Sequence, residues 1–142
     1  MLELRLPADA KRIAAMGEAI RRECSRAHAS PEHAAAVALV AASLVGGDEV
    51  ESDPGRGRRR ERAPEVLVLV TVQSDATLLM VRESRPAAGE LSAGRRRLLD
   101  AQTLRWSTVS GRDGRTVWTE IARTAPEPEP VPEPRPVMVF AD

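Results

Sequence analysis

The sequence contains few of the residues from which several common kinds of site are built. Cys24 is the only cysteine among 142 residues, so the chain has no internal disulfide. Aromatic residues make up 2% of the chain, too few for a row of stacking platforms on which nucleic-acid bases could lie. Basic and acidic residues number 21 each, so the formal net charge is zero and no overall field attracts nucleic acid or anionic lipid.

Long hydrophobic runs are also lacking. No apolar stretch approaches the roughly 20 residues that a membrane-spanning helix requires. The segment from Met1 to Arg5 has neither the basic flank nor the apolar core of a signal peptide. These absences predict a soluble cytoplasmic protein that does not engage a membrane.

The N-terminal third predicts one strand followed by two helices. Leucines at every second position before Pro7 are typical of a short, half-buried strand. Asp9 is suited to cap the first helix, whose apolar stripe is Ile13, Met16, Ile20 and Cys24. Ser30 and Pro31 begin the second helix, whose predicted buried residues are Val37, Val40, Leu44 and Val45. The pair Gly46-Gly47 ends it.

The remaining pattern predicts two pairs of strands separated by a third helix. Residues 66–72 form a β-branched run expected to be buried on both faces, and 77–82 return as its partner. A helix is expected over 91–104, and a final hairpin over 106–110 and 115–122. Helices on one face of a mixed, mainly antiparallel sheet predict an α/β fold, a two-layer sandwich.

Two segments have compositions that oppose burial. We expect residues 1–124 to form one domain, within which 48–64, rich in acid and then in arginine, is a flexible charged loop. Proline and glutamate dominate the tail, 125–142, and favour polyproline II. The tail ends in an apolar quartet that is a candidate partner-binding segment, by adding a strand or filling a groove: Val137, Met138, Val139 and Phe140. The alternative is a passive chain end.

One segment resembles a known family. Residues 93–121, AGRRRLLDAQTLRWSTVSGRDGRTVWTEI, join a helix to two strands through a polar turn that carries Gly111, Asp113 and Gly114. This order resembles the closing portion of the small ATPase domain of anti-sigma-factor serine kinases, a branch of the GHKL (histidine-kinase-like) superfamily. The resemblance extends over 2–122 and implies a Bergerat-like fold that normally holds ATP.

The resemblance also implies where the nucleotide chemistry should lie. Late in the second helix, family members carry a glutamate that polarises the attacking group and, four residues later, an asparagine that binds magnesium. These positions fall on Ser43 and Gly47. Glycine offers no side-chain ligand for magnesium, and a serine hydroxyl alone is not a base near neutral pH.

The other two nucleotide motifs are altered as well. Glu83 stands where the family has an adenine-binding aspartate, although a shift of one residue would place Ser84 there. The phosphate-binding Gly-Arg-Gly-Leu motif is represented by Gly94 and Arg95, so most of its glycine pattern is lost. These changes predict a degenerate domain, a pseudo-ATPase that requires no cofactor.

The expected function is therefore non-enzymatic regulation through protein binding. By resemblance, the partner is a sigma factor or a small antagonist protein, engaged by the first two helices and nearby loops, and the chain can also form a homodimer. One alternative is an active ATP-dependent serine kinase with displaced motif residues. Another is an Arg-rich binder of nucleic acid, through residues 58–62 and 95–97, or of a cyclic dinucleotide, through Arg97 and Asp100; composition disfavours nucleic acid.

Cys24, His28 and His33 raise the question of a metal site. The first two lie one helical turn apart, but only three ligands are offered and Cys24 continues an apolar stripe. The preferred interpretation is a buried thiol and two exposed histidines, with no metal bound.

Overall fold

The computed structural model describes residues 1–7, 9–46, 65–84, 91–112 and 114–123. Its strands are β1 (Leu2–Pro7), β2 (Glu65–Val72), β3 (Ala76–Glu83), β4 (Arg105–Gly111) and β5 (Gly114–Ala122). Its helices are α1 (Ala10–Arg26), α2 (Pro31–Gly46) and α3 (Ala93–Gln102). The order of elements is the predicted one. Gly47, the charged segment 48–64 and the tail with its quartet Val137–Phe140 lie outside the described residues.

The strands form one sheet in the order β1-β2-β3-β5-β4. Direct cross-strand partners place Leu4 beside Val68, Val68 beside Val81, and Val81 beside Val117. The predicted α/β class is confirmed, and the arrangement is consistent with a two-layer sandwich. The described sheet is antiparallel at every pairing rather than mixed. Tight turns that reverse the chain account for two of these pairings, β2 with β3 and β4 with β5.

A single hydrophobic cluster lies between the helices and one face of the sheet. Alternate strand residues enter this cluster because successive side chains of a strand point to opposite faces. The strand β5 follows the prediction, with Val117, Thr119 and Ile121 buried and Trp118 exposed. The largest fully buried apolar side chains are Met16, Ile20, Leu79, Leu99, Val37, Val40, Val66, Val68, Val70 and Cys24.

The prediction that β2 is buried on both faces is wrong. Val66, Val68 and Val70 are buried against the helices, whereas Leu67 and Leu69 on the opposite face remain partly exposed. The three helices contribute their buried residues to the cluster on one side only. The continuous apolar run in β2 therefore predicts a central strand correctly, but it does not show that both faces of the strand are buried.

The helix ends follow from local hydrogen bonds. The carboxylate of Asp9 accepts from the backbone N–H of Arg12 at 2.8 Å and begins α1 as predicted. At the other end of α1, the N–H of Ala29 bonds the carbonyl of Cys24, and His28 adopts a left-handed φ of 59°. This is a Schellman arrangement in which a histidine occupies the position that usually holds glycine.

The third helix is shorter than predicted. It spans Ala93–Gln102 instead of 91–104, because the Ser92 hydroxyl accepts from the N–H of Arg95 at its start. At its end, the Thr103 hydroxyl donates to the carbonyl of Leu99. Both capping residues have extended backbone angles, which exclude them from the helix.

Gly114 closes the β4–β5 hairpin, opposite Gly111. Its φ of 122° lies in the region that L-residues rarely adopt, and a Cβ at this position would overlap the backbone carbonyl of Glu83. Gly111, by contrast, has no described atom within 4 Å of such a Cβ. The backbone angle and the lack of room for a Cβ both require glycine at position 114, and neither requires it at position 111.

We expect Gly114→Ala to lower the free energy of unfolding by about 2–4 kcal/mol, because backbone strain and overlap with Glu83 act together. Gly111→Ala is the control and should change this free energy by about 0.5 kcal/mol or less. Urea denaturation of both variants measures the difference. Equal stability of the two would show that the hairpin relaxes around the added methyl group.

Candidate functional site

Two positions that the resemblance assigns to nucleotide motifs, Glu83 and Ser43, lie toward one end of the sheet, which we call the motif end. It comprises the end of β3 at Glu83, the start of β2 at Val66, and the hairpin at Gly114. The last turn of α2 lies there too. A Cβ on Gly46 would sit 3.3 Å from the side chain of Ile13, which is near the start of α1, the helix that follows the end of β1. Ser43 is partly buried in the turn before Gly46 and so approaches the same end.

Glu83 is held in an ion pair with Arg115, its direct cross-strand partner on β5. The Nη2 atom of Arg115 lies 3.1 Å from Oε2 of Glu83, and the two side chains are only 5% and 12% exposed. Glu83 shares the helix-facing side of β3 with Leu79 and Val81. Its carboxylate therefore serves the packing of the sheet at the position that the resemblance gives to adenine recognition.

Gly94 and Arg95 lie in the first turn of α3, as part of the helix rather than a loop before it. The side chain of Arg95 is 8% exposed and belongs to the buried set. A Cβ on Gly94 would meet no described atom within 4 Å, so no described neighbour requires glycine there. The two positions that the resemblance assigns to a phosphate motif thus belong to the helix itself.

Asp100 has a structural partner. Its Oδ1 accepts from the indole Nε1 of Trp106 at 2.8 Å, which ties the end of α3 to the start of β4. Arg96 and Arg97 are exposed, whereas Arg95 is buried, so the run 95–97 does not form one continuous basic surface. The other arginine cluster, 58–62, lies outside the described residues.

Cys24, His28 and His33 do not form a metal site. Among the described residues, no group of three potential ligands is close enough to hold a metal ion. Cys24 is a buried free thiol as predicted, and burial is the main cause that raises its pKa. The prediction that His33 is exposed is wrong, since only 1% of its surface is accessible.

His33 is buried because α2 begins against the start of β3. Its Nε2 lies 2.6 Å from the hydroxyl of Thr77, which is itself fully buried. Burial is the main cause that lowers the pKa of His33, the positive charge of Arg123 acts in the same direction, and the backbone of Ala122 opposes them. The sequence carries only a weak signal that His33 is buried: this residue is the third of a mostly apolar helix.

Arg123 fastens the same end of the molecule. Its guanidinium donates to the carbonyl of Ala27, at the end of α1, at 2.7 Å, and to the carbonyl of Gln73 in the β2–β3 turn at 3.1 Å. Its backbone N–H bonds the carbonyl of Asp75. At the end of the sheet opposite the motif end, the side chain of Arg123 thus joins the end of α1 to the turn between β2 and β3.

The face of the sheet that points away from the helices carries an apolar cluster, which we call the outer patch. Trp118 is 49% exposed and stands beside Met80, its cross-strand partner. The outer patch consists of the exposed Leu78, Val109 and Trp118 together with the half-buried Leu67 and Leu69 and the buried Met80. A groove of about 200 Å³ crosses it between Leu78, Trp118 and Arg105. The alternation of Val117 and Trp118 indicated this face in the sequence, but no function was assigned to it.

The sequence matches no protein-family model and no curated protein. Among the described residues, no helix is long and apolar enough to cross a membrane. The candidate site therefore rests on geometry: the Glu83–Arg115 ion pair at the motif end, and an outer patch that no described element covers.

Acidification should destabilise the fold through His33. Because burial lowers the folded-state pKa below its usual value of 6.5, the unfolded chain binds the proton more tightly. Stability is then lost as the pH falls from about 6.5 toward the folded-state pKa, with a slope of up to about 1.4 kcal/mol per pH unit. Urea denaturation between about pH 7.5 and 5.5 measures this loss.

The chain has two histidines, which allows a matched comparison. His33→Gln should remove most of the loss of stability between these pH values, and His28→Asn should retain it. An unchanged pH dependence in His33→Gln would assign the titration to other groups.

Proposed function

We propose that this chain is a non-enzymatic, regulatory protein-binding module of the anti-sigma-factor type, in which a GHKL-like scaffold has lost its nucleotide chemistry. The observation that carries the proposal is the ion pair between Glu83 and Arg115. A carboxylate that recognises adenine must be free to accept a hydrogen bond from the base, whereas that of Glu83 is largely buried and bonded to a guanidinium.

Two other motif positions support the loss of nucleotide chemistry. Ser43 has no charge with which to polarise an attacking group. Gly94 lies in the first turn of α3, where the Ser92 hydroxyl accepts from the N–H of the neighbouring Arg95, so the segment is a capped helix start and not a glycine-rich loop. These changes affect separate parts of a nucleotide site, so each would have to be reversed before the ligand could be held in a reactive geometry.

The outer patch is the proposed surface for the regulatory partner. Large exposed apolar side chains that cluster on a surface are typical of protein interaction sites, and tryptophan and arginine are common among the residues that dominate binding energy. Trp118 and Leu78 supply the apolar part, and Arg105 lies at the rim of the groove. The partner, by resemblance, is a sigma factor or a small antagonist of one.

We expect no saturable binding of ATP or ADP at up to roughly millimolar concentration. Isothermal titration calorimetry of the full chain with magnesium present measures this. Micromolar binding would contradict the proposal and favour the alternative of an active kinase. Gly47→Asn alone should not create binding, because the Glu83–Arg115 pair and the altered α3 start remain.

Trp118→Ala should weaken partner binding by about tenfold or more while leaving the melting temperature nearly unchanged. The partner is first identified by mass spectrometry of proteins that co-purify with the native chain, and its affinity is then measured for each variant. Leu39→Ala is a matched control on α2, because Leu39 is 51% exposed and Trp118 is 49% exposed.

The control also separates the two surfaces. If Leu39→Ala weakens binding and Trp118→Ala does not, the partner occupies the helical surface that the resemblance implies, and our assignment to the outer patch is wrong.

A further inference from the structure

The two edge strands of the sheet differ in how well they resist pairing with another strand. The edge strand β1 carries Glu3 and Arg5 and ends at Pro7, and charges and proline on an edge discourage a further strand. Across its middle the other edge strand, β4, reads Ser107-Thr108-Val109-Ser110, without charge or proline. All four of these residues are exposed. In the described part of the chain, β4 has a partner strand on one side only.

The outward side of β4 can be identified from the register. The backbone N–H of Arg123 bonds the carbonyl of Asp75, in continuation of the ladder between β5 and β3. Backbone groups alternate in direction along a strand, so the odd-numbered residues of β5 bond β3 and the even-numbered ones bond β4. Since Trp118 pairs with Ser107, the groups that point away from the sheet belong to Trp106, Thr108 and Ser110.

We infer that β4 pairs with β4 of a second copy of this chain, antiparallel and with the two-fold axis at Thr108. This register places Thr108 opposite Thr108 of the other copy and Trp106 opposite Ser110 of the other copy. All three outward-pointing residues then meet outward-pointing residues, which gives six backbone hydrogen bonds by the rules of antiparallel pairing. A two-fold axis at Ser107 or Val109 would pair only two such residues from each chain.

The charges are compatible with this pairing. Arg105 falls opposite Gly111 of the second copy, and it is already paired with Glu120 of its own chain at 2.7 Å. No two like charges stand directly opposite each other along the paired strands. Thr108 beside Thr108 is also a favourable cross-strand pair.

The pairing also extends the outer patch. Ser107 lies between Trp118 and the free edge of the sheet, and in the inferred register it stands opposite Val109 of the second copy. Val109 is 62% exposed in the single chain. The dimer would therefore have one sheet of ten strands whose two outer patches meet across the β4 pair. This inference does not depend on the proposed regulatory function, because it rests on the edge and not on the motif end.

Thr108 permits a charge test, since it faces its own copy across the axis. We expect the full chain to be a dimer by sedimentation velocity, and Thr108→Lys and Thr108→Glu each to be monomeric through repulsion of like charges. An equal mixture of the two variants should form a dimer again, because lysine then faces glutamate. Ala14→Lys, at an exposed position on α1, controls for the added charge and should stay dimeric.

The outcomes that would overturn the inference are specific. A full chain that stays monomeric as its concentration is raised, or variants of Thr108 that stay dimeric, would each refute it. Failure of the mixed variants to pair, with melting temperatures like that of the unaltered chain, would do the same. The inferred pairing predicts that Val139→Asp stays dimeric. Loss of the dimer in this variant would place the interface in the tail instead.

Discussion

The buried apolar residues of all three helices join one cluster with one face of the sheet, and no described element covers the opposite face. An antiparallel sheet tolerates this when its uncovered face is polar. Here the middle of that face carries Leu78, Met80 and Trp118, and charged residues such as Arg82 and Glu120 stand around them. That face therefore combines apolar side chains in its middle with charged side chains around them.

The ion pair at the motif end sets a condition on any nucleotide that might bind there. Arg115 is 5% exposed, and loss of one member of a buried ion pair typically costs about 3–5 kcal/mol. A base that drew the Glu83 carboxylate away from this partner would have to supply at least part of that free energy. Glu83, at the position where the resemblance puts an adenine-binding aspartate, is instead part of a largely buried ion pair with Arg115.

Much of the fold was predictable because its signals are local. Leucines at alternate positions, a capping Asp9 and the Ser30-Pro31 helix start act through neighbouring residues, and each prediction was confirmed. Apart from the bounds of α3, which local capping bonds set, the errors concern contacts between distant parts of the chain. His33 is buried by β3, which lies 44 residues away in the sequence, and no local pattern reports that contact.

The uncovered face of β2 was missed for a related reason. A run of valine and leucine has the same appearance whether its second face meets a helix, a partner or water, because β propensity reflects a half-buried surface of any kind. Only the placement of all three helices on one side distinguishes these cases. For the candidate site, the resemblance alone singled out Ser43, Glu83 and Gly94, and their assignment stays a prediction, whereas the engagement of Glu83 by Arg115 required the strand register.

The buried polar side chains at the two ends of the sheet are stabilised in different ways. At the motif end, opposite charges on Glu83 and Arg115 compensate one another. At the other end, His33 is bonded to the neutral Thr77 and lies near the cation of Arg123, so its neutral form is favoured. A neutral pair costs less to desolvate than a single charge, and Arg123 itself is satisfied by carbonyls of Ala27 and Gln73. Both ends thus hold their buried charged or titratable side chains through bonds within the chain, whereas no described residue covers the outer patch or the outward edge of β4.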